Sequence, residues 1–97
     1  MKIAYSARAA GEIARILDRL RNKNPQGAAR VLRAIERKLL QLASFPNSGH
    51  TTDFIKIRES ALTTYPYRIL YRLDTDRVRV LSVRHAARRW PVDIEKE

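Results

Sequence analysis

The sequence predicts an α+β fold: a helical hairpin packed on one face of a small, mainly antiparallel sheet. Three observations predict it. Two adjacent segments in the N-terminal half repeat apolar residues at helical spacing and are separated only by "NKNPQG". Three segments in the C-terminal half alternate apolar and polar residues at strand spacing. A short apolar run, "KIAYS", precedes them all. The element order is therefore β-α-α-β-β-β, and the helix stripes need one apolar sheet face to cover.

The first strand spans residues 2 to 5, with Ile3 and Tyr5 alternating with Lys2 and Ala4. Ser6 is an N-cap by residue type, because its hydroxyl can accept from a first-turn N–H. The helix expected over residues 7 to 22 carries Ala10, Ile13, Leu17 and Leu20 on one stripe with Ile16 beside them. Arg8, Glu12, Arg15 and Asp18 fall outside that stripe. Asn24 and Pro25 open the second helix, expected over residues 25 to 44, since proline suits the first turn. Its stripe is Ala28, Val31, Leu32, Ile35, Leu39 and Leu42, and Arg30, Arg33 and Arg37 form a separate basic face. So short a connection makes the helices antiparallel.

"FPNSGHTTD" reads as an exposed loop. "DFIKIRE" reads as a strand with Ile55 and Ile57 opposite Phe54, Lys56 and Arg58. In "PYRILYRL", Tyr67, Ile69, Tyr71 and Leu73 oppose Arg68, Leu70 and Arg72. "DTD" is a turn, and in "RVRVLSVRH" Val78, Val80 and Ser82 oppose Arg77, Arg79, Leu81, Val83 and His85. Trp90 is open to two readings, a core residue closing the sheet end against the first helix or the aromatic end of a basic contact surface. The chain is one domain over residues 1 to 92, followed by a polar tail, residues 93 to 97, expected to fray.

Composition narrows the chemistry. Cysteine is absent, which excludes disulfides and thiolate catalysis and fits a cytoplasmic protein. No apolar run approaches a membrane span, and Glu12 interrupts any signal-like core at the N-terminus. Only two histidines are present, and His50 lies in a loop, so neither a metal site nor a cofactor is expected. The net charge is +10, and arginine supplies fifteen of the twenty basic residues. That field suits nucleic acid, ribosomes or acidic protein, and arginine favours bidentate contacts to phosphate or carboxylate. The sheet face away from the helices, carrying Lys56, Arg58, Arg68 and Arg72, is the candidate surface. No helix-turn-helix spacing is present, so direct sequence-specific DNA binding is not expected.

The C-terminal run "YPYRILYRLDTDRVRVLSVRHAARRW" resembles the RelE/ParE superfamily of bacterial toxins, in its ParE form. The likeness covers residues 1 to 92 and includes the order of elements. The resemblance implies the toxin of a type II toxin–antitoxin pair, which inhibits growth and is neutralised by a cognate antitoxin. That antitoxin is expected to be acidic, partly disordered and encoded adjacently, with anchors in an apolar groove between the helix hairpin and the sheet edge.

RelE-like relatives cut mRNA on the ribosome; ParE-like ones poison DNA gyrase by binding. The shared fold does not choose between them. Metal-independent RNA cleavage needs a base, phosphate-stabilising cations and an acid. Lys56, Arg58, Arg68 and His85 form the candidate set for that alternative. The C-terminal residues expected of a RelE-like chain are missing: Ala86 or Ala87 stands where a further arginine is expected, and no tyrosine follows Tyr71. The preferred expectation is a gyrase inhibitor with no catalytic residues, its target-binding set being Arg84, His85, Arg88, Arg89 and Trp90. A non-toxic, antitoxin-binding member is the remaining alternative.

Overall fold

The computed structural model of the protein describes residues 1–96. Strand β1 (Lys2–Tyr5) leads into α1 (Ala7–Lys23) and α2 (Pro25–Ser44). Four strands follow, β2 (His50–Thr51), β3 (Ile57–Ala61), β4 (Tyr67–Leu73) and β5 (Arg77–His85), and the last described element is a 3-10 turn, Ile94–Lys96. The sheet order is β1-β5-β4-β3-β2. β1 runs parallel to β5, and every other pair is antiparallel. The helices cover one face, as the apolar stripes require.

Local chemistry sets the helix ends. The Ser6 hydroxyl accepts from the Ala9 N–H at 3.0 Å and donates to the Leu81 carbonyl at 3.0 Å. One side chain thus caps α1 and ties its start to β5. Asn24 serves both helices. Its N–H closes α1 on the Leu20 carbonyl, and its side chain accepts from Gly27 N–H at 3.1 Å to open α2. The hairpin turn is therefore a single residue. Ala9, Ile16, Val31, Ile35, Leu39 and Leu42 then bury against Ile69, Tyr71, Val78, Val80 and Val83 of the sheet.

The structure departs from the sequence expectations in four places. First, β3 begins at Ile57, and the loop before it contains the short strand β2. Thr52 Oγ1 accepts from Phe54 N–H at 3.1 Å and donates to the Ile57 carbonyl at 2.8 Å, and Lys56 takes a φ of 62°. A left-handed residue breaks the two-residue alternation, so Ile55 is 82% exposed although Ile57 is buried.

Second, a bulge interrupts the β4–β5 ladder: Leu70 pairs with Ser82, yet Tyr71 pairs with Val80. Leu81 is the extra residue, and beyond it the facing of β5 is reversed. Val83 therefore joins Val78 and Val80 in the main core, and Ser82 does not share their face.

Third, the tail is packed. Ile94 is 0% exposed and joins Ile57, Leu70 and Leu81 in a second apolar cluster on the outer sheet face, bordered by Phe54 and Trp90. Burying an isoleucine side chain contributes ~1.5–3 kcal/mol, which offsets the ordering of the last residues. Asp93 adds an exposed ion pair with Arg8 at 3.1 Å. The last residue of the expected tail, Glu97, lies outside the described residues.

Fourth, Trp90 lies on that outer face, not against α1, and Glu12 is buried. No helix of the described residues is long and apolar enough to cross a membrane.

Candidate functional site: a cationic cleft at the end of the sheet

β1 ends at Tyr5, so β5 loses its parallel neighbour past Val80. Its exposed edge would leave backbone donors unpaired. Glu12 of α1 fills the gap. Its Oε1 accepts from Ser82 Oγ at 2.7 Å and Val83 N–H at 3.2 Å, and its Oε2 accepts from Arg84 Nε at 2.7 Å. A carboxylate only 6% exposed is thus satisfied on both oxygens.

The segment after β5 is pinned into a turn. Ala86 N–H donates to the Pro66 carbonyl at 2.8 Å, and Arg88 N–H to the His85 carbonyl at 2.9 Å. His85 Nδ1 accepts from Ala87 N–H at 3.1 Å, so the neutral imidazole carries its proton on Nε2. Two cross-strand neighbours, Arg68 and Arg84, hold the chain beyond. Arg68 donates to the Arg88 carbonyl, and Arg84 to the Arg89 carbonyl at 2.9 Å. Trp90 closes the turn on the outer face, its Nε1–H donating to Glu59 Oε2 at 2.8 Å. The Arg68 guanidinium, also paired with Glu59 at 3.2 Å, stacks 4.5 Å from the Trp90 ring centre.

This arrangement divides the predicted target-binding set. Arg84 and Trp90 spend their polar groups on internal partners. His85, Arg88 and Arg89 are exposed. Arg84, His85 and Arg88 line a cleft of about 160 Å³ together with Glu12, Arg15, Ile16 and Arg19 of α1, Tyr67 and Val83. The Tyr67 and His85 rings meet edge to face, 5.9 Å between centres. Four arginines face one carboxylate that is already committed, so the cleft presents an uncompensated positive field above a floor of Ile16, Tyr67 and Val83. Such a site suits an anionic group carried on an apolar stem. Arg15 and Arg19 were not among the expected site residues. Their spacing of one helical turn outside the apolar stripe was the available signal, but nothing in the sequence places that face beside the end of β5.

The alternative set does not converge. Lys56 sits in the turn before β3. Arg58 pairs in register with Tyr71 and donates to the carbonyls of Asn47 and Gly49, at 3.3 and 2.9 Å. Arg68 projects from the opposite face beside Trp90, and His85 faces Tyr67. The expected open basic sheet face is also occupied, because residues 90 to 94 pack across it. Among the described residues, no cluster of three His, Asp or Glu side chains could hold a metal.

A second, apolar depression of about 310 Å³ lies where β1 meets the hairpin, lined by Tyr5, Ala10, Ile13, Leu32, Ile35 and Glu36. Burial, reinforced by the Glu36 carboxylate, raises the Tyr5 phenol above its usual pKa.

Comparison with known proteins agrees with this architecture. The family model described as the ParE toxin of the type II toxin–antitoxin system parDE matches residues 3–90. The Sinorhizobium fredii protein named "Putative toxin Y4kP" is 34% identical over 90 residues, 93% of each chain. Among solved structures, the chromosomal ParDE system of P. aeruginosa superposes with a TM-score of 0.76 at 17% identity, covering 88% of this chain and 95% of that one. The isolated E. coli RelE toxin gives a TM-score of 0.62 at 18% identity, covering 91% and 86%. The RelBE toxin–antitoxin complex of E. coli gives 0.63 at 19%, covering 90% and 98%. At those identities the structural likenesses speak for the fold alone, whereas the family match spans nearly the whole chain. With its helical hairpin, its parallel β1–β5 edge and its basic C-terminal turn, the chain belongs to the ParE toxin family of type II toxin–antitoxin systems.

Proposed function

We propose that this toxin arrests growth by binding DNA gyrase through the exposed part of its C-terminal turn, His85, Arg88 and Arg89, with the α1 arginines of the adjoining cleft. The observation that carries the reading is the division within that turn. Arg68, Arg84 and Trp90 hold its backbone, and the outward side chains are left to meet a partner. A binding toxin needs a rigid, exposed, positively charged projection; a nuclease needs a converged base, acid and cations. Lys56, Arg58, Arg68 and His85 do not supply the latter. On this reading the protein acts in the cytoplasm, where gyrase and its DNA lie, and requires no cofactor.

The cognate antitoxin, acidic and folding on contact, docks its apolar anchors in the depression between Tyr5, Ile13 and Leu32. Its charge complements a +10 surface and speeds their encounter.

Induction of the toxin in bacteria, with chromosome integrity, plasmid supercoiling and transcript integrity followed in parallel, tests the target. The expected result is broken chromosomes with intact transcripts. Codon-spaced transcript cuts with intact DNA would establish the ribosome-dependent nuclease instead. Normal growth would leave an antitoxin-binding member without toxicity.

A further inference from the structure

The outward face of α2 is a second basic surface, separate from the cleft. Arg30, Arg33 and Arg37, with Lys38, flank two shallow grooves against the β3–β4 connection, whose Thr63, Thr64 and Tyr65 add hydroxyls. Among the described residues no ion pair engages any of these four cations, whereas carboxylates pair with Arg8, Arg21, Arg68, Arg72, Arg77 and Arg84. Glu36, on the same helix, lies on the other side, in the apolar depression beside Tyr5. α2 therefore separates an apolar face with one acid from a face whose charged side chains are all positive.

We propose that this face, Arg30, Arg33, Arg37 and Lys38 with Thr63 and Thr64, binds the phosphodiester backbone of duplex DNA without reading its sequence. The spacing fits. Arg30 to Arg37 spans about 10 Å of helix axis at ~1.5 Å per residue, which is about three nucleotide steps along one strand at ~3.4 Å each. The three arginines can thus meet three phosphates within a run of four on one strand.

The chemistry also favours nucleic acid over an acidic peptide. A peptide that orders on binding must bury apolar anchors to offset its lost entropy. The grooves offer only Ala34 and the edges of Leu62 and Tyr65, and the first of these is already half-buried. Backbone binding to a polynucleotide needs no anchor, because release of condensed counterions drives it. Duplex is favoured over single strands because the grooves hold no free aromatic platform: Tyr65, the aromatic that lines one of them, packs against the core. A gyrase poison with such a face would grip the DNA beside the enzyme as well as the enzyme itself.

The test measures binding of the purified toxin to a short mixed-sequence DNA duplex over a range of salt concentrations. Polyglutamate and an RNA hairpin serve as parallel ligands. The R30Q/R33Q/R37Q variant is expected to bind the duplex roughly tenfold or more weakly, with the log–log salt slope reduced by about 2.7 units, or ~0.9 for each lost phosphate contact. R15Q/R88Q, altered in the cleft, should keep most of the slope. Because all three α2 arginines are exposed, unchanged thermal unfolding confirms the fold, and R33E alone provides a second, charge-reversing variant. An unchanged slope in both α2 variants overturns the proposal. So does an equal fractional loss of polyglutamate binding, which would make the face a peptide site, or tighter binding of the RNA hairpin than of DNA.

Discussion

Glu12 and Arg84 stand 72 residues apart in the chain and meet at 2.7 Å, joining the middle of α1 to the last turn of β5. The pair is inside the structure: the side chains are 7% and 16% exposed, and the same carboxylate also satisfies Ser82 and Val83. Its contribution is therefore specified by what its loss would leave behind. Glu12→Ala would strand a partly buried guanidinium, a backbone N–H and a hydroxyl. A loss of about 2–3 kcal/mol is expected, at or below the lower end for breaking a buried pair because Arg84 retains some solvent. Glu12→Gln keeps an acceptor for Ser82 and Val83 and should lose less. Urea unfolding of the two variants checks both the size and the order.

Tyr71 couples the sheet to the loop after α2. Its hydroxyl donates to the Pro46 carbonyl at 2.8 Å and accepts from Gly49 N–H at 3.0 Å. Tyr71→Phe should cost about 1–2 kcal/mol, because both loop groups lose their partner. The variant should also change the pH dependence. Burial raises the Tyr71 phenol, more than the Gly49 hydrogen bond and the Arg58 charge lower it. A raised phenol means that the unfolded chain releases this proton first. The tyrosine's contribution is complete below its unfolded value of about 10 and is lost as pH rises through the folded one. Wild type should therefore lose stability above about pH 10 more steeply than Tyr71→Phe. The variant keeps only the alkaline slope of Tyr5, which is raised too. Denaturation midpoints on either side of that pH give the comparison.

Gly49 is tested separately. A Cβ there would sit 2.8 Å from Tyr71 Cε1 and 2.9 Å from the Glu59 carbonyl oxygen. The second atom belongs to the backbone of β3 and cannot rotate away. Gly49→Ala should displace β2 from β3 and destabilise the fold by about 1–3 kcal/mol, as overpacking does. Faster amide exchange at His50 and Thr51 than elsewhere in the sheet would locate the damage.

These contacts also show what the sequence made legible. Both helices were readable because each carries an uninterrupted stripe and a residue-specific cap, Ser6 and Asn24. The β4–β5 hairpin was readable from its alternation and acidic turn. What escaped depends on single backbone events that alternation does not encode. Lys56 turns left-handed and delays β3, and Leu81 bulges and turns Val83 inward. Glu12 falls outside the apolar stripe, and its burial escaped because a helical wheel does not know that β1 stops short of the end of β5. Ile94 sits alone in a charged stretch, so its pocket of Ile57, Leu70 and Leu81 exists only once β3, β4 and β5 are paired. At the site, the sequence found the basic turn but could not separate Arg84 and Trp90, which hold it, from Arg88 and Arg89, which project.

The proposed antitoxin groove yields a prediction that is independent of the target. Leu32→Glu places a charge in the depression beside Ile13 and Tyr5, where anchors would bury. Antitoxin affinity should fall roughly a hundredfold, about 2–3 kcal/mol, in the range of a central interface anchor. Growth inhibition by the toxin alone should persist. Co-expression with and without antitoxin reads out both effects; full rescue of the variant by antitoxin would place the anchor elsewhere.

The division within the C-terminal turn determines how its role has to be tested. Deleting residues 84 to 97 would remove the proposed contacts, but it would also strip Arg84 from Glu12 and Ile94 from the outer cluster. Loss of toxicity would then report loss of the fold. Point variants separate the two. Ile94→Ala should cost about 2–4 kcal/mol, as large-to-small changes in a closed apolar site do, and should weaken toxicity only as far as it lowers the folded population. Arg88→Ala with Arg89→Ala removes two exposed side chains whose carbonyls, not guanidinia, are held by Arg68 and Arg84. Stability should change by no more than about 0.5 kcal/mol, while growth inhibition and gyrase binding fall at least tenfold. Normal toxicity in that double variant, measured at matched expression, would move the target contact away from the turn.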